Sequence, residues 1–195
     1  MSGDVHVRFR ERLKVKFLCP TRLVILCRRK SAEAMERMET ILRRIKVEVN
    51  RQKTRICTVP KESFDFLGYT FGRCYSKRTG RAYIGTQPSR KRVKRLCRAI
   101  SQMTRRATIV KETEGVVKSL NSRLRGWADY FSLGPVSKAY RGIDAHTRHR
   151  LRQWSCGKHK IQGQGRKRFT DEYLYGELGL LRLEKLTADL PWARA

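Results

Sequence analysis

One stretch of closely spaced cations suggests a definite chemistry. Six of the nine residues from 90 to 98 are Lys or Arg, and no Asp or Glu occurs between Gly72 and Lys111. Val93 and Leu96 recur at helical spacing inside this stretch, so the cations surround one apolar stripe. Solvated charge runs usually mix both signs. A helix of a single sign therefore predicts a surface that binds the phosphates of a nucleic acid.

Other cations extend this candidate surface toward the C-terminus. The segment 157–168 is rich in Gly, Lys and Arg; it is interpreted as a flexible loop that orders on an RNA backbone, with a plain loop as the alternative. Tyr130 and Tyr140 are candidates for base stacking, whereas Trp127 and Trp154 fall on apolar stripes and are assigned to a core. The predicted RNA-binding residues are Arg90, Lys91, Arg92, Lys94, Arg95, Arg98, Arg123, Arg125, Arg148, Arg150, Arg152, Lys158, Lys160, Arg166, Lys167 and Arg168.

Metal-dependent chemistry has weak candidates by comparison. A zinc site could use four soft ligands, but their spacing matches no familiar finger and cations crowd them. These ligands are His146, His149, Cys156 and His159. Two-metal catalysis needs clustered carboxylates, and the acids stand apart in the sequence. The most relevant are Asp65, Asp129, Asp144 and Asp171. We therefore predict no metal site, no cofactor and no catalytic residue, with Mg²⁺ entering only through bound RNA.

The composition narrows the partner class further. The 195 residues carry 46 Lys+Arg against 17 Asp+Glu, a formal charge of +29. A small domain needs a net charge of only about 2–8 for solubility, so the excess indicates a polyanionic partner. Nucleic acid is the first candidate and an acidic membrane surface the second. No apolar run is long enough to span a membrane, and the N-terminus lacks the apolar segment of a secretory signal. The six Cys are scattered along the sequence, which predicts reduced thiols and a cytoplasmic protein.

The hydrophobic period predicts an α+β fold with two parts. A short apolar run and an amphipathic helix come first, and a region in which apolar and polar residues alternate, as in strands, follows. After Pro88, three segments carry apolar residues at helical spacing, and three such helices can pack into a bundle. The predicted strands are 23–27, 53–59, 64–71, 69–75 and 82–86. The predicted helices are 31–46, one after Pro88 whose apolar stripe runs over 93–103, one at about 112–131 and one at about 137–154. Thr170 is predicted to cap a short helix that runs to Tyr175.

Residues 120–131 add a resemblance to a known family. They read Leu-Asn-Ser-Arg-Leu-Arg-Gly-Trp-Ala-Asp-Tyr-Phe, and this segment resembles the maturase-specific segment of group II intron reverse transcriptases. The similarity continues through 139–144 and 151–160. Upstream, 64–71 resembles the last palm block and 50–55 the stretch before it. The resemblance implies the end of a palm at 23–87 and a thumb, or X, domain at 88–195, after an unmatched segment 1–22.

One departure from the family bears on activity. In the family, the strand that resembles 23–27 follows Tyr-Ala-Asp-Asp, whose aspartates hold catalytic magnesium, but here Cys19-Pro20-Thr21-Arg22 precede it. The resemblance thus implies a truncated, RNA-binding maturase fragment of a mobile genetic element that binds group II intron RNA and assists its splicing without polymerase activity.

Several alternatives stay open at this point. One is an RNA-directed DNA polymerase completed by another chain, and another is a decayed remnant without a role. Whether a DNA target is also bound is open too. Because the palm elements that normally cover residues 1–50 are not in this sequence, exposed apolar surface there predicts a homodimer through the palm surface.

Overall fold

A computed structural model describes residues 23–27, 30–76 and 79–187. The protein has an α+β fold, with a small antiparallel sheet and four helices of 14 residues or more among the described residues. It divides into two compact units, Met1–Thr54 and Arg55–Ala195. No helix in the described ranges is long and apolar enough to cross a membrane.

The first unit is organised around one amphipathic helix, α1 (Ser31–Arg44). Glu33 forms ion pairs with Lys30 and Arg37, but none of the residues of α1 is buried. The predicted strand 23–27 is wrong: this segment has no strand pairing, and Leu26 is 85% exposed. An apolar run forms a strand only where a neighbouring strand accepts its backbone hydrogen bonds. The apolar side chains stay exposed, and the predicted homodimer stays a prediction.

The second unit begins with a three-stranded antiparallel sheet of order β1-β2-β3. Its strands are β1 (Phe64–Phe66), β2 (Tyr69–Tyr75) and β3 (Ala82–Pro88). The predicted continuous strand 64–71 is wrong, because Leu67 and Gly68 take positive φ values of 50° and 90° and reverse the chain. Phe64 therefore pairs with Phe71 across a hairpin. The predicted strand 53–59 is also wrong, since this segment is turn and irregular backbone.

Three helices follow, and all three predictions of helix are confirmed. They are α2 (Arg90–Met103), α3 (Thr113–Tyr130) and α4 (Ser137–Lys158). Ser89 starts α2, since its Oγ accepts a 3.4 Å hydrogen bond from the Arg92 backbone N–H. Helix α4 runs four residues further than predicted, because Ser155 and Cys156 remain buried against the bundle after Trp154.

The C-terminal segment completes the core of this bundle. Thr170 Oγ1 accepts from the Tyr173 N–H at 3.3 Å, which confirms the predicted cap, and a π-helical turn follows at Tyr173–Glu177. A 3-10 turn, Leu183–Thr187, starts where the Asp144 carboxylate accepts the Leu183 and Glu184 backbone N–H groups, each at 3.0 Å. Leu174, Leu180 and Leu183 are buried in the same hydrophobic cluster as the three helices.

The sheet and the bundle interlock within this second unit. Tyr69 Oη donates to the Tyr130 carbonyl at 2.6 Å, and Tyr130 Oη donates back to the Leu67 carbonyl at 2.8 Å. The turn between α3 and α4 presses on β3 so closely that a Cβ at Gly134 would lie 2.0 Å from the Thr86 carbonyl oxygen. The predicted division at residues 87 and 88 falls inside this unit.

Candidate nucleic-acid interface

Six cations cover the outer side of α2, and we call them the α2 face. Leu96 and Ile100 point into the core, with exposed fractions of 4% and 0%. None of the six forms an ion pair with any acid in the described part of the chain. The α2 face consists of Arg90, Lys91, Arg92, Lys94, Arg95 and Arg98, all of them exposed.

The position of these cations is electrostatically unfavourable for the isolated protein. Arg90, Lys91 and Arg92 occupy the first turn of α2, which contains no acid. The positive end of the helix dipole lies at that turn, so each cation there raises the free energy by roughly 0.3–1 kcal/mol at a surface. Mutual repulsion among the six adds to this. An anion bound at the start of α2 would relieve both effects.

The three predicted arginines on α4 are used differently, because each one bonds within the protein. Arg150 donates from Nη2 to the Ser101 and Thr104 carbonyls at 3.1 and 2.9 Å, and from Nε to Thr104 Oγ1 at 3.2 Å. These acceptors lie at the C-terminal end of α2, where a cation stabilises the last carbonyls. Arg150 thus joins α4 to α2.

Arg148 and Arg152 hold the C-terminal segment. Both contact the carboxylate of Asp171, Arg148 from Nη1 at 2.8 Å and Arg152 from Nη2. Arg152 also donates from Nε to the Phe169 carbonyl at 2.7 Å. The internal bonds give the α4 arginines a structural role, and their contact with RNA stays a prediction.

The cations of the loop after α4 are presented to solvent. Lys160, Arg166, Lys167 and Arg168 are all exposed. The loop itself is pressed onto α4, because a Cβ at Gly165 would lie 2.3 Å from Cys156 Sγ. Lys158 belongs to α4, and its Nζ donates to the Lys111 carbonyl at 2.6 Å.

Helix α3 contributes a basic groove that the sequence did not reveal. Arg123 and Arg125, both predicted, are exposed on α3. Arg123 and Lys118 line an open groove of about 770 Å³ that extends to Met103 at the end of α2. The groove depends on how α2 and α3 pack, so no local sequence signal predicts it.

The aromatic residues mostly serve the core. The prediction of base stacking by Tyr140 is wrong, because this residue is 1% exposed and its Oη donates to the Ala128 and Phe131 carbonyls, both at 3.2 Å. Burial raises the pKa of Tyr140 to about 12. Tyr130 is 53% exposed. Trp127 and Trp154 pack on the core as predicted, and Trp154 Nε1 donates to Thr108 Oγ1 at 3.1 Å.

Two of the four candidate metal ligands, His146 and His159, contact other parts of the protein. His146 Nε2 lies 3.0 Å from Ser101 Oγ and 3.0 Å from the Cys97 carbonyl, and the His159 ring packs on Phe169. Within the ranges that the structure describes, no three His, Cys, Asp or Glu side chains gather as a metal site. Burial raises the pKa of the Asp144 carboxyl, which accepts two backbone N–H groups as described above.

Fold and site together define a basic helical bundle, backed by a small sheet, that is suited to a polyanionic ligand. Residues 93–174 match the model of the group II intron maturase-specific domain. The matched segment runs from α2 to the π-helical turn and covers somewhat less than half of the chain. No curated protein sequence matches the chain. Most of the bundle is therefore similar to this maturase domain, whereas the resemblance of 64–71 to a reverse transcriptase palm lies outside the match.

Proposed function

We propose that this protein is an RNA-binding maturase that binds group II intron RNA and assists its folding for splicing. The α2 face carries the proposal: it presents six exposed cations without acidic partners in the described structure. Three of them, Lys94, Arg95 and Arg98, lie inside the matched segment 93–174, and the other three precede it directly. Phosphates of a folded RNA supply the negative charge that this face lacks.

The mechanism needs no covalent chemistry from the protein. A folded intron RNA brings phosphates of distant segments close together, and their repulsion opposes the compact form. Cations fixed on a rigid helix neutralise those phosphates at set positions, so binding favours the compact RNA over the open one. Helix α4 holds α2 in place, because Arg150 joins the end of α2 to α4.

Our proposal assigns no polymerase activity to the chain. It rests on the resemblance to the family, in which residues 19–22 stand at the place of the catalytic aspartates; these four residues lie outside the described ranges. A cytoplasmic location is part of the proposal as well. It is supported by the free thiols among the described cysteines.

A charge-matched comparison tests the role of the α2 face. One variant replaces Arg90, Lys91, Lys94 and Arg95 by Ala, and the control replaces four exposed cations elsewhere by Ala, namely Arg105, Lys138, Arg141 and Lys185. Both lose the same charge. With a group II intron transcript in filter binding, we expect the first variant to lose at least about 100-fold in affinity and the control less than about fivefold.

Splicing of the same transcript at low magnesium gives the functional readout. The wild type should raise the splicing rate, the α2 variant should not, and the control should behave as the wild type. Equal affinities of the two variants would contradict the proposed surface. Primer extension with the purified chain serves as a further check, and nucleotide incorporation above background would replace the maturase proposal with a polymerase.

A further inference from the structure

The groove between α2 and α3 has a floor formed by α3 and carries two cations. The floor is the outward side of α3, where small side chains at Ser119, Ser122 and Gly126 leave the helix surface bare. Lys118 and Arg123 stand on this floor, and Met103 of α2 forms the opposite wall. The groove, about 770 Å³ in volume, is open to solvent.

Gly126 is not required by the packing of the protein itself. It lies inside α3, and a Cβ placed there would meet nothing within 4 Å. A glycine in a helix interior costs roughly 0.8–1 kcal/mol relative to alanine. Gly126 lines the groove, so no side chain fills the groove floor at this position.

The chemistry of the groove fits a phosphodiester chain. Lys118 and Arg123 are exposed, and neither has an acidic partner among the described residues. They are five residues apart, which is about 7.5 Å along the helix axis and about 140° around it, so they stand on the two flanks of the groove floor. The axial separation corresponds to about two phosphate steps of one strand, at about 3.4 Å per step along a duplex axis. Ser119 Oγ donates its hydrogen to the Gly115 carbonyl at 2.8 Å, so toward a ligand it can only accept a hydrogen bond, as from a ribose 2′-hydroxyl.

Base stacking fits this groove poorly. The only aromatic residue lining it is Trp127, whose ring packs at 4.6 Å from Phe131 and 5.8 Å from Tyr140, measured between ring centroids. The ring is thus held in the core and half-buried rather than standing free as a platform.

We propose that the α2–α3 groove binds the sugar–phosphate backbone of one RNA strand, as a second contact separate from the α2 face. This inference rests on the proposed RNA-binding function. The strand lies along α3, with Lys118 and Arg123 neutralising phosphates about two steps apart from the two flanks of the groove floor, and with Gly126 allowing close approach to the helix. Because the groove reads backbone, its contribution to affinity is independent of base sequence.

Filling the groove is the direct test. Gly126→Leu places a side chain on the floor, and Gly142→Leu is the matched control, since Gly142 is also exposed inside a helix with open space at its Cβ but does not line this groove. Circular dichroism and thermal melting establish that both variants fold. We expect Gly126→Leu to bind an intron transcript at least about tenfold more weakly than Gly142→Leu, and a structured RNA of scrambled sequence to show the same ratio.

A charge pair gives an independent version of the test. Lys118→Ala with Arg123→Ala should weaken binding more than tenfold, whereas Lys138→Ala with Arg141→Ala removes the same charge from exposed sites on α4 and should change it less than threefold. If wild type binds but both groove variants match their controls, the groove proposal fails and the proposed function stands. If wild type binds no RNA, both fail. If the groove variants lose affinity only for a DNA duplex and not for RNA, the groove binds DNA and the RNA proposal is overturned.

Discussion

Helices α2 and α4 both carry arginines that the sequence marks as candidates for RNA contact, yet the structure uses them in opposite ways. The α2 face is exposed and lacks acidic partners among the described residues. On α4, Arg148, Arg150 and Arg152 bond to Asp171, to Phe169 or to the carbonyls at the end of α2. The difference shows that charge alone does not separate a ligand-binding cation from a structural one. The two kinds of cation are separated by whether they have hydrogen-bond or ion-pair partners within the protein.

The largest effect we expect distinguishes the two sets by stability. Arg150→Ala removes the three hydrogen bonds to Ser101 and Thr104 and leaves two carbonyls at the end of α2 without this donor. Charged hydrogen bonds contribute about 1.5–3 kcal/mol each but are not additive, so the free energy of unfolding should fall by about 3 kcal/mol. Arg95→Ala, on the exposed face, should stay within about 0.5 kcal/mol. Urea denaturation measures both, and equal losses would contradict the comparison.

Two tyrosines sharpen the same contrast between buried and exposed groups. Tyr140 is buried and donates to two carbonyls, whereas Tyr130 is half exposed. Tyr140→Phe should cost about 1–2 kcal/mol because buried acceptors lose their donor, and Tyr130→Phe should cost less. Thermal melting of the two variants at neutral pH provides the measurement.

Alkaline pH tests the burial of Tyr140 directly. Its pKa is about 12 in the folded protein against the ordinary 10.0. Below pH 10 both states keep the proton, so this group adds no pH dependence. Between pH 10 and 12 the unfolded state loses the proton first, and stability falls as the pH rises, by up to about 1.4 kcal/mol per pH unit. Tyr140→Phe should show a shallower decline, and an identical decline would contradict the burial argument.

The smallest expected effect concerns salt. Lys94→Ala removes one phosphate contact from the α2 face, so the slope of log K against log salt should become shallower by about 0.7–0.9. Arg152→Met removes a cation whose bonds are internal. At temperatures where the Arg152→Met variant is folded, the slope of log K against log salt should equal that of the wild type. A slope change in Arg152→Met as large as that in Lys94→Ala would place Arg152 in the interface.

The helices were predictable because their apolar positions repeat with the helical period. Leu96 and Ile100 on α2, and Tyr140, Ile143 and Leu151 on α4, are buried as that period requires. The strands were less predictable. The turn at Leu67 and Gly68 and the absence of pairing at 23–27 depend on which backbones meet, and a run of apolar residues does not carry that information.

The candidate site likewise has one part that the sequence predicts and another that it does not. The α2 face followed from residues adjacent in sequence, since one helix displays all six cations. The bonds that join the α4 arginines to other elements link residues from 17 to 49 positions apart. The groove needs Met103 from α2 beside Gly126 from α3. Such arrangements come from packing, so a sequence pattern does not predict them.

The interlocked contact of the sheet with the bundle limits how the protein can be shortened. A recombinant piece that started at residue 93 and stopped at 174 would lack Tyr69, which donates to the Tyr130 carbonyl, and the buried Leu180 and Leu183. Its hydrophobic core would be open at both ends. An isolated domain that folds should therefore need boundaries near residues 55 and 187, so that the three-stranded sheet and the C-terminal segment are both retained.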